Sequence, residues 1–381
     1  MDFQISEEQE LLRQTIRKIA KKKFEPRAAE IDEQEAFPWD NKTILAQNGL
    51  LGINCPREYG GSGESILTLA LVIEEIARVC ASTAHIVAAH SLVVDAFVLK
   101  GAHEQKTRWL RPLGEGSRIG AFAMTEPNAG SDIISMKTKA TRTDDGYVID
   151  GSKRFITHGH SAGIIVLVAY SDRTLKHEGL SLFVIPGDAA GLIRGKKERK
   201  MGLRGSDTAD LSFESCFVPK ENILGQPGEG FKTVMALLNA SRLGIAAEAV
   251  GIAQGAMDQA VNYTRDRIQF GKRLVEFQGL QWVLADMALK VELARTLLYR
   301  ACAAIDKDRN AGEIPKLSAM TKWFASDTAM EITTSAVQLF GGYGYVRDYP
   351  VERMMRDAKI TQLFEGTNEI LRNVVSRQLL R

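Results

Sequence analysis

The sequence predicts an α+β protein in three parts: an N-terminal all-α domain over residues 1–117, a middle β-sandwich or β-barrel domain over 118–228, and a C-terminal four-helix bundle over 229–381. Three observations predict it. Apolar residues recur at helical spacing up to about Ser117. From about Gly116 to Gly225 the chain is rich in Gly, Thr, Ser and Asp, and short β-branched runs alternate with turn dipeptides. Beyond that, no proline lies between Pro227 and Pro315, which permits long unbroken helices. A chain of 381 residues has room for two or three domains.

Each element has a local reason. Ser6 precedes Glu7, Glu8 and Glu10, an N-cap with acids where the helix dipole favours them. Leu11, Leu12, Ile16 and Ile19 then repeat at helical spacing. Ile66–Val79 and His85–Leu99 read as two further helices, and the loop 59–63 precedes them. In the middle part, Tyr147–Ile149, Ile164–Tyr170, Leu182–Ile185 and Leu211–Phe213 read as strands. Asp144-Asp145-Gly146 and Asp150-Gly151 supply turns. Leu237–Arg265, Phe277–Asp306, Lys316–Phe340 and Asn368–Leu380 have the lengths of bundle helices.

Composition excludes several classes. The charge is +2, from 49 Lys+Arg against 47 Asp+Glu, so there is no polyanion footprint and nucleic acid is not an expected partner. The four cysteines, Cys55, Cys80, Cys216 and Cys302, stand far apart without a CxxC pair, which fits a reducing compartment and no cysteine-rich metal site. The start of the chain has no signal-peptide pattern, and a cytoplasmic location is expected. Ala162–Ala169 is too short to span a membrane, and polar residues interrupt 236–261, which reads as a packed core helix. No membrane association is expected.

Some motifs fail. Gly225–Thr233 resembles a P-loop, but Phe231 separates its last glycine from Lys232. His158-Gly159-His160 reads as a surface turn, with no metal-ligand spacing around it, and no metal is expected. Lys196, Lys197, Arg199 and Lys200 read as a solvated face, or as a charge that steers an anionic cofactor.

Three segments carry chemistry. Ala123–Asp132 is a polar loop in which Gly130 allows close backbone approach, and Thr125 and Ser131 offer hydroxyls; it reads as a ligand loop or an ordinary turn. Gln338–Tyr345 is a glycine-rich corner after a long helix, with backbone donors exposed at a C-cap. In Leu363–Ile370 one acid, Glu365, stands between Phe364 and Gly366, and Thr367 can cap the following helix. A carboxylate set among apolar residues is poorly solvated and suits a general base, although a surface acid before a helix reads equally from spacing alone.

In this order and at these separations, the three segments resemble the acyl-CoA dehydrogenase family. Pro56–Gly61, Phe155-Ile156-Thr157, Met201–Arg204, Val218-Pro219-Lys220, Asn222–Gly225 and Arg267–Lys272 extend the likeness along essentially the whole chain. The resemblance implies the same division into helical, β and four-helix-bundle domains. It implies non-covalent FAD, with Phe122, Met124, Thr125, Gly130 and Ser131 in the segment that covers the flavin. Phe155 stands where the family usually has tryptophan, and Thr157 would approach flavin N5. Arg267, Phe270, Gln278, Gln338, Gly341 and Gly342 would reach the adenosine and pyrophosphate end, several of them from a neighbouring subunit. Thr367 and Glu369 would close the site.

For substrate, the resemblance implies that Ser131, Asn239, Arg242 and Gly366 bind the acyl-CoA. The Glu365 N–H and a flavin ribose hydroxyl would hold the thioester oxygen. Glu365 would remove the α-proton while the β-hydrogen leaves as hydride. Some subfamilies carry the base one residue before the match to Arg242; here that residue is Ser241, which leaves Glu365 as the base. Met201–Ala209 and Leu243–Gly255 resemble short-chain, butyryl-type members most, and branched short chains stay open. A glutaryl substrate is less expected, because the arginine those enzymes use falls near Ala84, beside His85. Family members are usually homotetramers and pass electrons to an electron-transferring flavoprotein. An acyl-CoA oxidase and a non-catalytic CoA-ester binding protein are the competing readings.

Overall fold

In the computed structural model, which describes residues 5–380, the chain begins its first helix with a reciprocal cap. Ser6 Oγ accepts from the Gln9 N–H and the Gln9 side chain accepts from the Ser6 N–H, at 3.2 and 3.0 Å. This capping box starts α1 (Glu7–Ile19); residues 1–4, read above for a leader, lie outside the described residues. Helices α2 (Ala28–Gln34), α3 (Trp39–Gln47), α4 (Ile66–Ala77) and α5 (Ala81–Lys100) follow, and two short pieces, α6 (His103–Gln105) and α7 (Arg111–Gly114), lead out of the helical part. Eleven of the twelve residues of α4 are buried, so it is a core element rather than an amphipathic cover.

The middle domain is built on β1 (Gly120–Ala123), β2 (Lys139–Arg142), β3 (Gly146–Thr157), β4 (Ile164–Tyr170), β5 (Leu180–Pro186), β6 (Leu192–Lys197), β7 (Thr208–Pro219) and β8 (Ile223–Leu224). The strand order is β6-β7-β3-β2-β4-β5-β8, with β1 alongside β4. Every residue of β4 is buried, which is why it reads as an unbroken apolar run. It pairs parallel with β1, placing Phe122 opposite Val166, and antiparallel with β5. The β3–β7 ladder is interrupted between Lys153 and Ile156, and Phe155 takes φ 58° within that break.

The C-terminal part holds α8 (Gly230–Asp266), a small hairpin of β9 (Ile268–Gln269) and β10 (Lys272–Arg273), then α9 (Gln278–Lys307), α10 (Ile314–Phe340), α11 (Val351–Ile360) and α12 (Asn368–Leu379). α8 is the common post: it packs on α4 and α5 on one side and on α9 and α10 on the other. Glycine makes that approach possible, since a Cβ at Gly251 would lie 2.3 Å from the Glu74 carbonyl oxygen. By length and mean hydropathy both α5 and α8 are apolar enough to cross a membrane, and most of each is buried inside this fold.

The structure revises parts of the sequence reading. Beyond the glycine corner the chain forms a further helix, α11, to which the sequence reading assigned no element. His158 is a turn residue, as expected, yet it is fully buried rather than on the surface; its Nδ1 lies 3.0 Å from the Gly120 carbonyl oxygen. The basic cluster is not uniformly solvated: Lys200 is half-buried, donates to the Ser206 carbonyl, and is pushed down to about 8 by burial.

Candidate functional site

Thr367 starts the assembly. Its hydroxyl caps α12 by accepting from the Ile370 N–H, and the two residues before it, Glu365 and Gly366, turn at φ 55° and 96°. The left-handed turn is natural for Gly366 and strained for Glu365 by roughly 1–2 kcal/mol. Three side chains hold it. Ser241 Oγ, on α8, donates to Glu365 Oε2 at 2.7 Å. Arg242 Nε donates to the Glu365 carbonyl at 3.1 Å. Lys322 Nζ, from α10, donates to the Gly366 carbonyl at 2.8 Å and to Asn368 Oδ1 at 3.2 Å. The Glu365 side chain is half-buried, and its N–H makes no hydrogen bond to any described residue.

Electrostatics at this cluster are set by burial. Arg242 is buried, which lowers its proton affinity, with Glu365 opposing. Lys322 is fully buried, and its ammonium is pushed down to about 7 by burial, with Glu365 working the other way. Phe364 stacks on His85 at 5.2 Å between ring centres and 13° between planes. Asn239 lies half-buried three residues before Arg242 on α8.

The loop after β1 is anchored from below. Glu126 is buried and accepts from the Lys137 N–H (2.6 Å), the Thr138 N–H (2.9 Å) and Lys153 Nζ (2.9 Å). Its backbone closes a tight turn with Ala129. Lys153 is fully buried and also donates to the Met124 carbonyl at 3.0 Å. The loop tip is thereby held open: Gly130 and Ser131 are exposed, and a Cβ at Gly130 would meet nothing within 4 Å. Thr125 is half-buried, its carbonyl accepting from the Arg154 N–H at 2.8 Å. Phe122 and Met124 are half-buried and pack on the cluster around Val168 and Leu238. Nearby on β3, Phe155 is 57% exposed under the Arg154 guanidinium, and Thr157 sits on the ladder opposite Thr208.

A second opening lies at the end of α8. A cleft of 990 Å³ is lined by Arg267, Gln338, Gly341, Gly342 and Tyr343, among others. The Arg267 guanidinium lies 5.4 Å from the Tyr343 ring centre. A Cβ on Gly341 or Gly342 would meet nothing within 4 Å, so the corner is open to a ligand. A cation beside bare glycine backbone is the donor set a pyrophosphate needs. The exposed Phe155 ring and the open Gly130 loop suit a flat ring system, so the residues present fit FAD.

Of the residues singled out in the sequence, Glu365, Gly366 and Arg242 meet in one cluster, with Thr367 capping behind them. Arg267, Gln338, Gly341 and Gly342 meet in another. Phe270 is 94% exposed at the tip of the β9–β10 hairpin, Gln278 is exposed at the start of α9, and neither lines the cleft. Glu369 is exposed on the first turn of α12. Sequence reasoning missed the buried lysines Lys153 and Lys322 and the bond from Ser241; Lys153 stands between Ser152 and Arg154 and Lys322 between Thr321 and Trp323, neighbours that carry no local mark of burial.

Comparison with known proteins follows the same three parts. Residues 6–117, 121–216 and 228–380 match the family descriptions "Acyl-CoA dehydrogenase, N-terminal domain", "middle domain" and "C-terminal domain". The chain is 46% identical over 384 residues to "Acyl-CoA dehydrogenase, short-chain specific" of Clostridium acetobutylicum, covering 100% of both. Its fold is similar to a chain solved under "Electron transferring flavoprotein of Acidaminococcus fermentans", at TM-score 0.97 and 43% identity with 100% of both covered. It is equally similar to butyryl-CoA dehydrogenase from Megasphaera elsdenii, at TM-score 0.97 and 40% identity, again with 100% of both covered.

Proposed function

The chain belongs to the acyl-CoA dehydrogenase family, FAD-dependent oxidoreductases of CH–CH bonds, and from that premise we propose that it dehydrogenates a short- or branched-chain acyl-CoA thioester between its α and β carbons. Bound FAD supplies the hydride acceptor. The observation that carries the reading is the Glu365 carboxylate, held by Ser241 through one oxygen so that the other is left to take a proton. Arg242 and Lys322 fix the two carbonyls that follow, which aims the unpaired Glu365 N–H. That N–H is suited to hold a thioester oxygen and to stabilise the charge that builds there as the α-proton leaves. Arg242, buried and cationic beside Gly366, suits the CoA portion, with Asn239 and Ser131 as further contacts. Phe364, the residue before the base, is held by its stack on His85 and lends the site an apolar face.

The short-chain assignment is supported by the likeness to the Clostridium acetobutylicum protein. An electron-transferring flavoprotein is the proposed acceptor. A homotetramer is proposed because α9 exposes Trp282, Leu289 and Leu293 along one side, an apolar stripe suited to a second copy. The test is Glu365→Gln in the FAD-loaded protein. It should stay folded and yellow while anaerobic bleaching of the flavin by butyryl-CoA is lost. Turnover within about tenfold of wild type, ~1.4 kcal/mol of barrier, would reject Glu365 as the base.

A further inference from the structure

Resting on the reading above, we propose that His85 and Glu248 form a polar end wall of the acyl pocket and select short acyl chains that carry a hydroxyl at the distal end. On α8, Ser241 and Glu248 are seven residues apart, so they share a face and stand about 10 Å apart along the axis. Ser241 touches the Glu365 carboxylate. Gly244 lies between them on the same face, where a Cβ would meet nothing nearer than Ile73 Cδ1 at 3.5 Å and Ala88 Cβ at 4.0 Å. We place the acyl chain along this bare glycine face, in a slot between α5 and α8 with the base at one end.

The other end of the slot is polar. His85 Nδ1 lies 2.9 Å from Glu248 Oε2, and Phe364, the residue before the base, covers the imidazole face. Glu248 is fully buried, yet its Oε1 has no partner among the described residues. His85 is 4% exposed, and its Nε2 makes no hydrogen bond to any described residue. An unpaired buried carboxylate oxygen is expensive, and an apolar pair in the same volume would be more stable. The pair therefore fits a ligand that completes it.

Charge and valence narrow that ligand. A distal carboxylate would place a second anion against Glu248. A methyl end leaves Oε1 unpaired. A hydroxyl donates to Glu248 Oε1 and meets His85 Nε2 in either of its roles, donor or acceptor.

The experiment compares kcat/KM of the FAD-loaded protein for butyryl-CoA against 4-hydroxybutyryl-CoA, pentanoyl-CoA against 5-hydroxypentanoyl-CoA, and glutaryl-CoA. The hydroxylated member of at least one pair should be preferred by at least about tenfold, since a site built around a hydroxyl rejects the analogue without it. Glutaryl-CoA should be the poorest five-carbon substrate. In the double variant His85→Leu/Glu248→Leu, which leaves no buried charge unpaired, the hydroxyl-to-alkyl ratio should fall to about one. Equal use of both members of each pair by wild type overturns the inference whether or not the variant folds, as does a ratio unchanged in a folded variant. Bleaching by none of the five esters, nor by isobutyryl-CoA run beside them, overturns the short- or branched-chain dehydrogenase reading itself, a different result from bleaching without preference.

Discussion

Replacing Lys322 by methionine separates two effects of one buried ammonium. The first is a tether: Lys322 Nζ bonds the Gly366 carbonyl and Asn368 Oδ1, and methionine has neither bond. The second is a penalty. Burial lowers the Lys322 pKa from the ordinary 10.5 to about 7, against the pull of Glu365. At ~1.4 kcal/mol per tenfold in proton affinity, holding the charged form in the fold costs on the order of 5 kcal/mol. The sign follows from proton counts. Between about pH 7 and 10.5 the unfolded chain binds more protons at this site than the folded one, so the site makes stability rise with pH. Below pH 7 the penalty is present in full, and above 10.5 it is gone. Lys322→Met has no such dependence. The variant should therefore be clearly less stable than wild type at pH 10, where only the lost tether counts. The gap should shrink by a few kcal/mol, or reverse, at pH 6. Urea unfolding of both FAD-loaded proteins from pH 6 to 10 measures the difference, and groups common to both cancel. A gap constant within about 1 kcal/mol across that range would refute the reasoning.

Two further outcomes are expected. Ser241→Ala removes the bond to Glu365 Oε2 and should lower kcat by about 10- to 100-fold with KM nearly unchanged, the scale of a hydrogen bond to a charged group; steady-state kinetics showing kcat within twofold of wild type would count against it. Gly342→Ala puts a methyl into open space and should leave the melting temperature of the apoprotein unchanged, while FAD affinity by fluorescence titration falls by about tenfold or more, ~1.4 kcal/mol; undiminished affinity would mean that this corner does not hold the cofactor.

The large elements were legible because their causes are local. β4 coincides with the run read as Ile164–Tyr170, since a strand buried on both sides must be apolar throughout. The N-caps at Ser6 and Thr367 were visible as side chains of the right kind in the right place, whereas the return bond from Gln9 to Ser6 was not read. β1 was not, because Gly-Ala-Phe-Ala has little strand preference and becomes a strand through pairing with β4, some forty residues on. The same limit applies at the site. Glu365 and Arg242 could be named from motifs, but Ser241 was set aside as unable to act as a base, and its actual contact with Glu365 joins residues 124 positions apart. Lys153 and Lys322 look like surface lysines until the fold places Glu126 and the 366 carbonyl against them. His85 and Glu248 are likewise joined only across two helices.

The left-handed backbone at position 365 narrows what chemistry this position can ever adopt. Branched side chains are all but excluded there by the hard-sphere limits on φ. Asparagine and aspartate tolerate that geometry better than most, but aspartate is one methylene shorter and would draw its carboxylate away from the serine on α8. Drift at this locus is thus channelled by the peptide chain as much as by the reaction, and a lineage that dispensed with the acid would be steered towards glycine or asparagine.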